Sequence, residues 1–203
     1  MKTFALAIIA LTLTAPTVVR SDALDVPGAE PQDIHQSTPG GVPLARLLDL
    51  VAHKTGKKFV VDPRVHADVV ILGEEMSHVS YPELLTILDV YGYSTAESGG
   101  FTLIVPASAI RVMPLPQLKG RETYPDSQYV TAVIPIANLP AGTLVPSLRP
   151  LIPSNGHLSA VACNNTLILI DSYANVRRLQ ELIKLIDVGR AYTPAKCDLA
   201  ANP

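Results

Sequence analysis

Apolar residues recur along this chain at two spacings, and the switches between them mark out its elements. Leu44, Leu47, Leu48 and Val51 fall at i, i+3, i+4 and i+7, the stripe of a helix with one buried face. Gly56 is a natural C-terminal stop for it. Residues 58–61 and 68–72 read as strands, the first closed by Asp62-Pro63. Ser80-Tyr81-Pro82-Glu83 has the form of a capping box with proline in the first turn. Leu84, Leu85, Leu88 and Tyr91 continue the helix it opens. Residues 93–97, a Gly99-Gly100 turn and residues 101–105 predict a hairpin.

A second set of elements starts at Tyr129. Val130, Ala132, Ile134 and Ile136 alternate with other residues, as in a strand with one buried face. Pro135 cannot donate to a ladder, so that end belongs at a sheet edge or outside it. Pro140 opens a helix with Leu144, Leu148 and Leu151 on one side, tolerating Pro146 and ending at Pro150 or Pro153. Residues 158–162 form a short strand, and Asn164-Asn165 suits a two-residue hairpin turn. Residues 166–170 (TLILI) are apolar on both faces and predict a central strand. Asp171 or Ser172 caps a last helix, which turns Val176, Leu179, Ile183 and Ile186 inward and Arg177, Arg178, Glu181 and Lys184 to water. The fold class expected is α+β: two small modules, residues 43–106 and 129–188, the second with two helices on one face of a small sheet. Residues 107–128, with Pro114, Pro116 and Pro125, read as a semi-rigid linker, and residues 189–203 as a tail.

The N-terminus adds a destination. Met1-Lys2 precedes an apolar run over residues 4–13, too short to span a bilayer. Ser21 and Ala23 place signal cleavage after Ala23, and no cysteine marks a lipoprotein junction. Residues 24–42 are then a flexible N-terminal segment. The expected product is an exported, soluble chain without a membrane span. In an oxidising compartment Cys163, at the hairpin turn, and Cys197, in the tail, are candidates for a disulfide; two unpaired thiols are the alternative.

Charge and motifs narrow the function classes. The formal net charge is −2 and the pI about 6.2, which gives no basic footprint for nucleic acid. The element order of the second module is KH-like, yet the chain has no GXXG loop. None of His35, His53, His66, His78 and His157 pairs with another at metal-ligand spacing; His66-Ala67-Asp68 comes nearest and starts a strand. No nucleophile elbow, phosphate loop or zincin motif occurs. Cys163 with His157 as a thiol–base pair weighs little against a hairpin tip beside a loop. The chain is therefore expected not to be an enzyme, with no catalytic, cofactor or metal residues.

IPIANLPAGTLVPSLRPLIP, NNTLILID and ANVRRLQELIKLID together resemble the repeated periplasmic module of bacterial secretins, the ring-forming channels of type II secretion and type IV pili. TGKKFVVDPRV, YPELLTILDVYGY and SGGFTLIVP resemble the first periplasmic domain of the type II secretins (the type II secretion system protein D family), itself similar to the signalling domain of TonB-dependent receptors. One departure stands out. The family's apolar first strand is replaced by PQDIHQSTPGGVP, which predicts a missing, shortened or displaced strand.

The resemblance implies a periplasmic interaction component attached to an outer-membrane secretion complex. It implies that the first module contacts the inner-membrane platform protein or exported cargo, and that the second stacks into a ring, with itself or with a barrel-bearing secretin. Arg64, Arg177 and Arg178 are the candidate subunit contacts, and open strand edges the natural binding surfaces. The sequence stops at Pro203 with no residues for a barrel, so a channel is not expected. Half of a split secretin, an adaptor or competitor, and a gene remnant remain open, as does a sensory module like that of the TonB-dependent receptors.

Overall fold

The computed structural model describes residues 40–194. The cleavage site at Ala23, nearly all of the N-terminal segment, and Cys197 lie outside the described residues. Both modules belong to one compact unit.

The first module comprises β1 (Val42–Pro43), α1 (Leu44–Thr55), β2 (Phe59–Val61), β3 (Asp68–Val69), α2 (Tyr81–Val90), β4 (Tyr93–Ser98) and β5 (Phe101–Pro106). β5 is central in its sheet, parallel to β2 and antiparallel to β4. The predicted stripe is buried: Leu44, Leu47, Leu48 and Val51 pack with Leu84, Leu88 and Ile104. Gly56 ends α1 in the left-handed region, as its position requires. Glu83 accepts from Ser80 N and Oγ at 2.7 and 2.6 Å, fixing the start of α2.

The polar sequence before α1 leaves a strand of two residues, Val42 and Pro43, paired with Val69 and Asp68. The strand predicted over 68–72 is likewise shorter. The Val70 amide is taken by Tyr91 Oη at 2.8 Å, Gly73 turns the chain with φ 81°, and Leu72 is left 89% exposed.

The second module comprises β6 (Gln117–Leu118), β7 (Tyr129–Pro135), α3 (Ala141–Leu148), β8 (His157–Val161), β9 (Thr166–Ser172) and α4 (Tyr173–Ile186). Its sheet runs β6-β7-β9-β8, with β9 between β7 and β8 as its two-faced apolarity predicts. Val130, Ala132, Ile134, Leu167 and Leu169 pack with Leu144, Leu148, Val176, Leu179 and Ile183, so both helices cover one face.

Three details differ from the sequence reading. Residues 107–128 are more than a spacer: Ala107–Val112 form a 3-10 turn that buries Ile110, and β6 joins the second sheet parallel to β7. The β8–β9 connection is a 3-10 turn over Ala162–Asn164, and Asn165 alone takes the left-handed conformation, with φ 51°. Ile186 is 40% exposed rather than inward, because it is the last residue of α4 and the chain turns away at Asp187.

Candidate functional site

The loop joining β7 to α3 is held by two side chains from distant parts of the second module. Asn165, buried and left-handed, donates its Nδ2 to Ile136 O at 2.7 Å and Leu139 O at 2.8 Å. Its Oδ1 accepts from Ala141 N at 2.7 Å, capping a helix whose own N-cap is a proline without a side-chain acceptor. Asp187, past the end of α4, accepts from the amides of Ala137, Asn138 and Leu139 at 2.7, 2.7 and 2.9 Å. Burial pushes the Asp187 carboxyl up, but the three amides outweigh it and hold the acid below its ordinary value. A rigid loop of this kind fixes α3 against the sheet, and so fixes the outline of the module.

The surfaces left for partners are strand edges. Among the described residues, β2 pairs on one side alone, with β5, and its Val60 and Val61 are 46% and 41% exposed. β8 likewise pairs with β9 alone. β6 covers β7 at Thr131 and Ala132 and leaves residues 133–135 open on that side, where the missing N–H of Pro135 does no harm. An open edge is a row of unpaired donors and acceptors suited to strand addition by another chain.

The three arginines are placed differently from one another. Arg64 is engaged with Asp62 of its own turn, through Nε at 3.0 Å and Nη2 at 2.9 Å, and these bonds hold the Asp62 carboxyl down to about 2. Arg177 reaches Asp126 at 2.6 Å and stacks 4.9 Å from the Tyr173 ring centroid, stapling the end of the linker to α4. Arg178, in the second turn of α4, donates to Leu151 O at 3.3 Å. All three remain exposed, so they are available to a neighbour as well as to these partners.

The first and second modules also touch. Ala96, Val105, Ile110 and Tyr129 form a small buried cluster, with Met113, Leu115 and Ile170 against it. Thr86 Oγ1 lies 3.1 Å from Ser127 Oγ. Beside this cluster is a cleft of about 800 Å³ whose lining includes Asp89, Arg111, Tyr129, Asn155, Asp171 and Arg178.

His157 starts β8 and Cys163 lies past its other end, so the strand keeps the imidazole and the thiol apart instead of pairing them. His157 is instead 3.2 Å from Ser159 Oγ. Cys163 is exposed in the Ala162–Asn164 turn. His66 N and O both meet Tyr93 Oη, which ties that turn to β4. Among the described residues no three His, Cys, Asp or Glu side chains are grouped to hold a metal, and no helix is long and apolar enough to cross a membrane.

Residues 41–104 match the family model of the GspD-like N0 domain, and residues 131–191 that of the bacterial type II/III secretion system short domain. The chain is 32% identical to secretin XcpQ of Pseudomonas aeruginosa over 146 residues, covering 71% of this chain and 21% of that protein. It is 27% identical to secretin GspD of Vibrio cholerae over 155 residues, covering 72% and 23%. The chain thus spans roughly a fifth of the length of these relatives. A solved Klebsiella pneumoniae type II secretion outer membrane complex, containing PulD, PulS and the PulC HR domain, shares the fold with a TM-score of 0.58 at 22% identity, covering 72% of this chain and 26% of the other.

Proposed function

Because this chain belongs to the secretins through the two N-terminal domains it carries, we propose that it acts in the periplasm as a protein-interaction component of a type II secretion-like system. The first module contacts the inner-membrane platform protein or exported cargo. The second supplies a wedge that stacks into a ring at the outer-membrane complex. The observation that carries this reading is the succession of the two domains in one chain, each with an open strand edge: β2 in the first, β8 in the second. The solved complex that pairs PulD with PulS and the PulC HR domain supports partners of the same kind here. The platform contact falls to the β2 edge, where Val60 and Val61 present apolar side chains between free main-chain groups.

The test is cross-linking in native cells, purification from detergent extract and identification of what accompanies the chain. Co-recovery of a secretin barrel or of an inner-membrane platform protein supports the proposal. Recovery of the chain alone overturns it.

A further inference from the structure

Among the strand edges of this chain, β8 stands apart in what it lacks. Edges are normally guarded by charge, proline or a bulge. β2 follows Lys57 and Lys58, and β6 precedes Lys119. β8 runs over His157–Val161, and no Asp, Glu, Lys or Arg lies between Arg149 and Asp171. The helix that packs on β8 is α3, and it carries no charge over Ala141–Leu148 either. Within the helices of this module charge is confined to α4, at Arg177, Arg178, Glu181 and Lys184.

The ladder decides which main-chain groups this edge presents. Ile136 N donates to Asn165 O at 2.9 Å, so along β9 Leu167 and Leu169 face β7, while Thr166, Ile168 and Ile170 face β8. Their partners on β8 are Val161, Ser159 and His157. Leu158 and Ala160 therefore point N–H and C=O outward, and among the described residues nothing bonds those groups. The side chains of Leu158 and Ala160 pack into the core under the helices. Ser159 lies on the opposite, helix-free face, its Oγ 3.2 Å from His157 Nε2.

We propose that this edge is a self-association surface, on which a second copy of the chain lays its own β8 antiparallel about a two-fold axis at Ser159. Leu158 and Ala160 of one copy then exchange both hydrogen bonds with Ala160 and Leu158 of the other, and one sheet continues across the pair. Under the helices a large side chain meets a small one. On the open face Ser159 meets its own counterpart and His157 meets Val161. The charge pattern selects a second copy as the occupant. Two charge-free strands, each beside a charge-free helix, come together without burying or opposing a charge. This names what covers one of the edges on which the proposed function rests. It is read on the purified protein, so its failure and a failure to recover secretion partners are separate results.

The test is sedimentation equilibrium of the purified chain from about 1 µM to about 200 µM, with three variants. Ala160→Pro removes an outward N–H and leaves the internal ladder intact. Ser159→Lys and Ser159→Asp each set like charges opposite one another across the two-fold axis. The expected result is a monomer–dimer equilibrium in the wild type, with no larger species. Ala160→Pro weakens it at least about tenfold, since one donor is lost from each copy. Ser159→Lys and Ser159→Asp are each monomeric alone, and mixing them restores the dimer, which a misfolded variant could not do. A wild type that stays monomeric throughout, a dimer that survives both Ala160→Pro and Ser159→Lys, or a mixture that stays monomeric overturns the proposal. Slow hydrogen exchange at the Leu158 and Ala160 amides of a monomer also overturns it, because another segment of the chain then covers the edge.

Discussion

Asn165 and Asp187 grip the same residue from its two ends: Leu139 donates its N–H to Asp187 Oδ1 at 2.9 Å, and its carbonyl accepts from Asn165 Nδ2 at 2.8 Å. The two side chains are separated by the whole of β9 and α4. Between them they satisfy six backbone groups of residues 136–141, which an irregular loop would otherwise leave for water.

Removing either side chain should therefore destabilise the protein by about 2 kcal/mol, the scale for hydrogen bonds to a charged acceptor or from a buried amide. Asn165→Gly keeps the left-handed backbone and isolates the side-chain part. Combined with Asp187→Ala, the double variant should lose less than the sum of the two, by roughly 1 kcal/mol, because both hold one loop. Urea denaturation of the four proteins reads this directly.

Acid should undo half of this arrangement. The Asp187 carboxyl is held below its ordinary value, so its stabilisation is present above about pH 4 and lost as pH falls through the depressed folded value. Wild-type stability should fall more steeply than that of Asp187→Asn between about pH 4.5 and about pH 3. Parallel curves would show that the carboxylate contributes nothing.

Gly156 is required by space. A Cβ there would meet Ile152 Cγ2 at 2.7 Å and Ile170 O at 2.9 Å. Gly156→Ala should cost about 1–3 kcal/mol, as overpacking does, and the calorimetric transition should move down accordingly.

Reversing Arg177 and Arg178 to glutamate should weaken self-association, seen as loss of cross-linked oligomers, while fold stability changes by less than about 1 kcal/mol per exposed pair. Because Arg177 also staples Asp126, the variant carrying Asp126→Arg in addition restores an internal pair. If assembly depends on the outward face, that third change leaves it weakened; unchanged cross-linking in the double reversal would remove both arginines from the contact surface.

The proposed Cys163–Cys197 bond should appear as an intact mass two hydrogens lighter without reductant than with it. Equal masses would leave two thiols.

Much of this fold was legible because it is local. The Leu44, Leu47, Leu48, Val51 stripe, the Ser80–Glu83 box and the Ser172 cap each state their structure within a turn or two of chain. What escaped depends on distance. Asn165 announced a left-handed turn, but nothing nearby showed that its amide reaches residues 24 to 29 positions earlier. The motifs IPIANLPAG, NNTLILID and KLID look like three separate signatures, and they are the three pieces of one hydrogen-bonded knot. Pattern could not find β6 either, since two residues among prolines have no period. Ile186 kept the helical period while the helix ran out beneath it. Of the candidate site, the open edges follow from strand order, which alternation alone does not fix, and the cleft at Asp89 and Asp171 needs both modules in place.

β6 also sets where the second module can be cut. Thr131 N takes Pro116 O at 2.9 Å, and Gln117 and Leu118 line up with Thr131 and Ala132. A fragment started at Tyr129 would strip that cover and bare the whole outer side of β7, a seven-residue template for aggregation. Expression designs that aim at a soluble second module should begin ahead of Pro116.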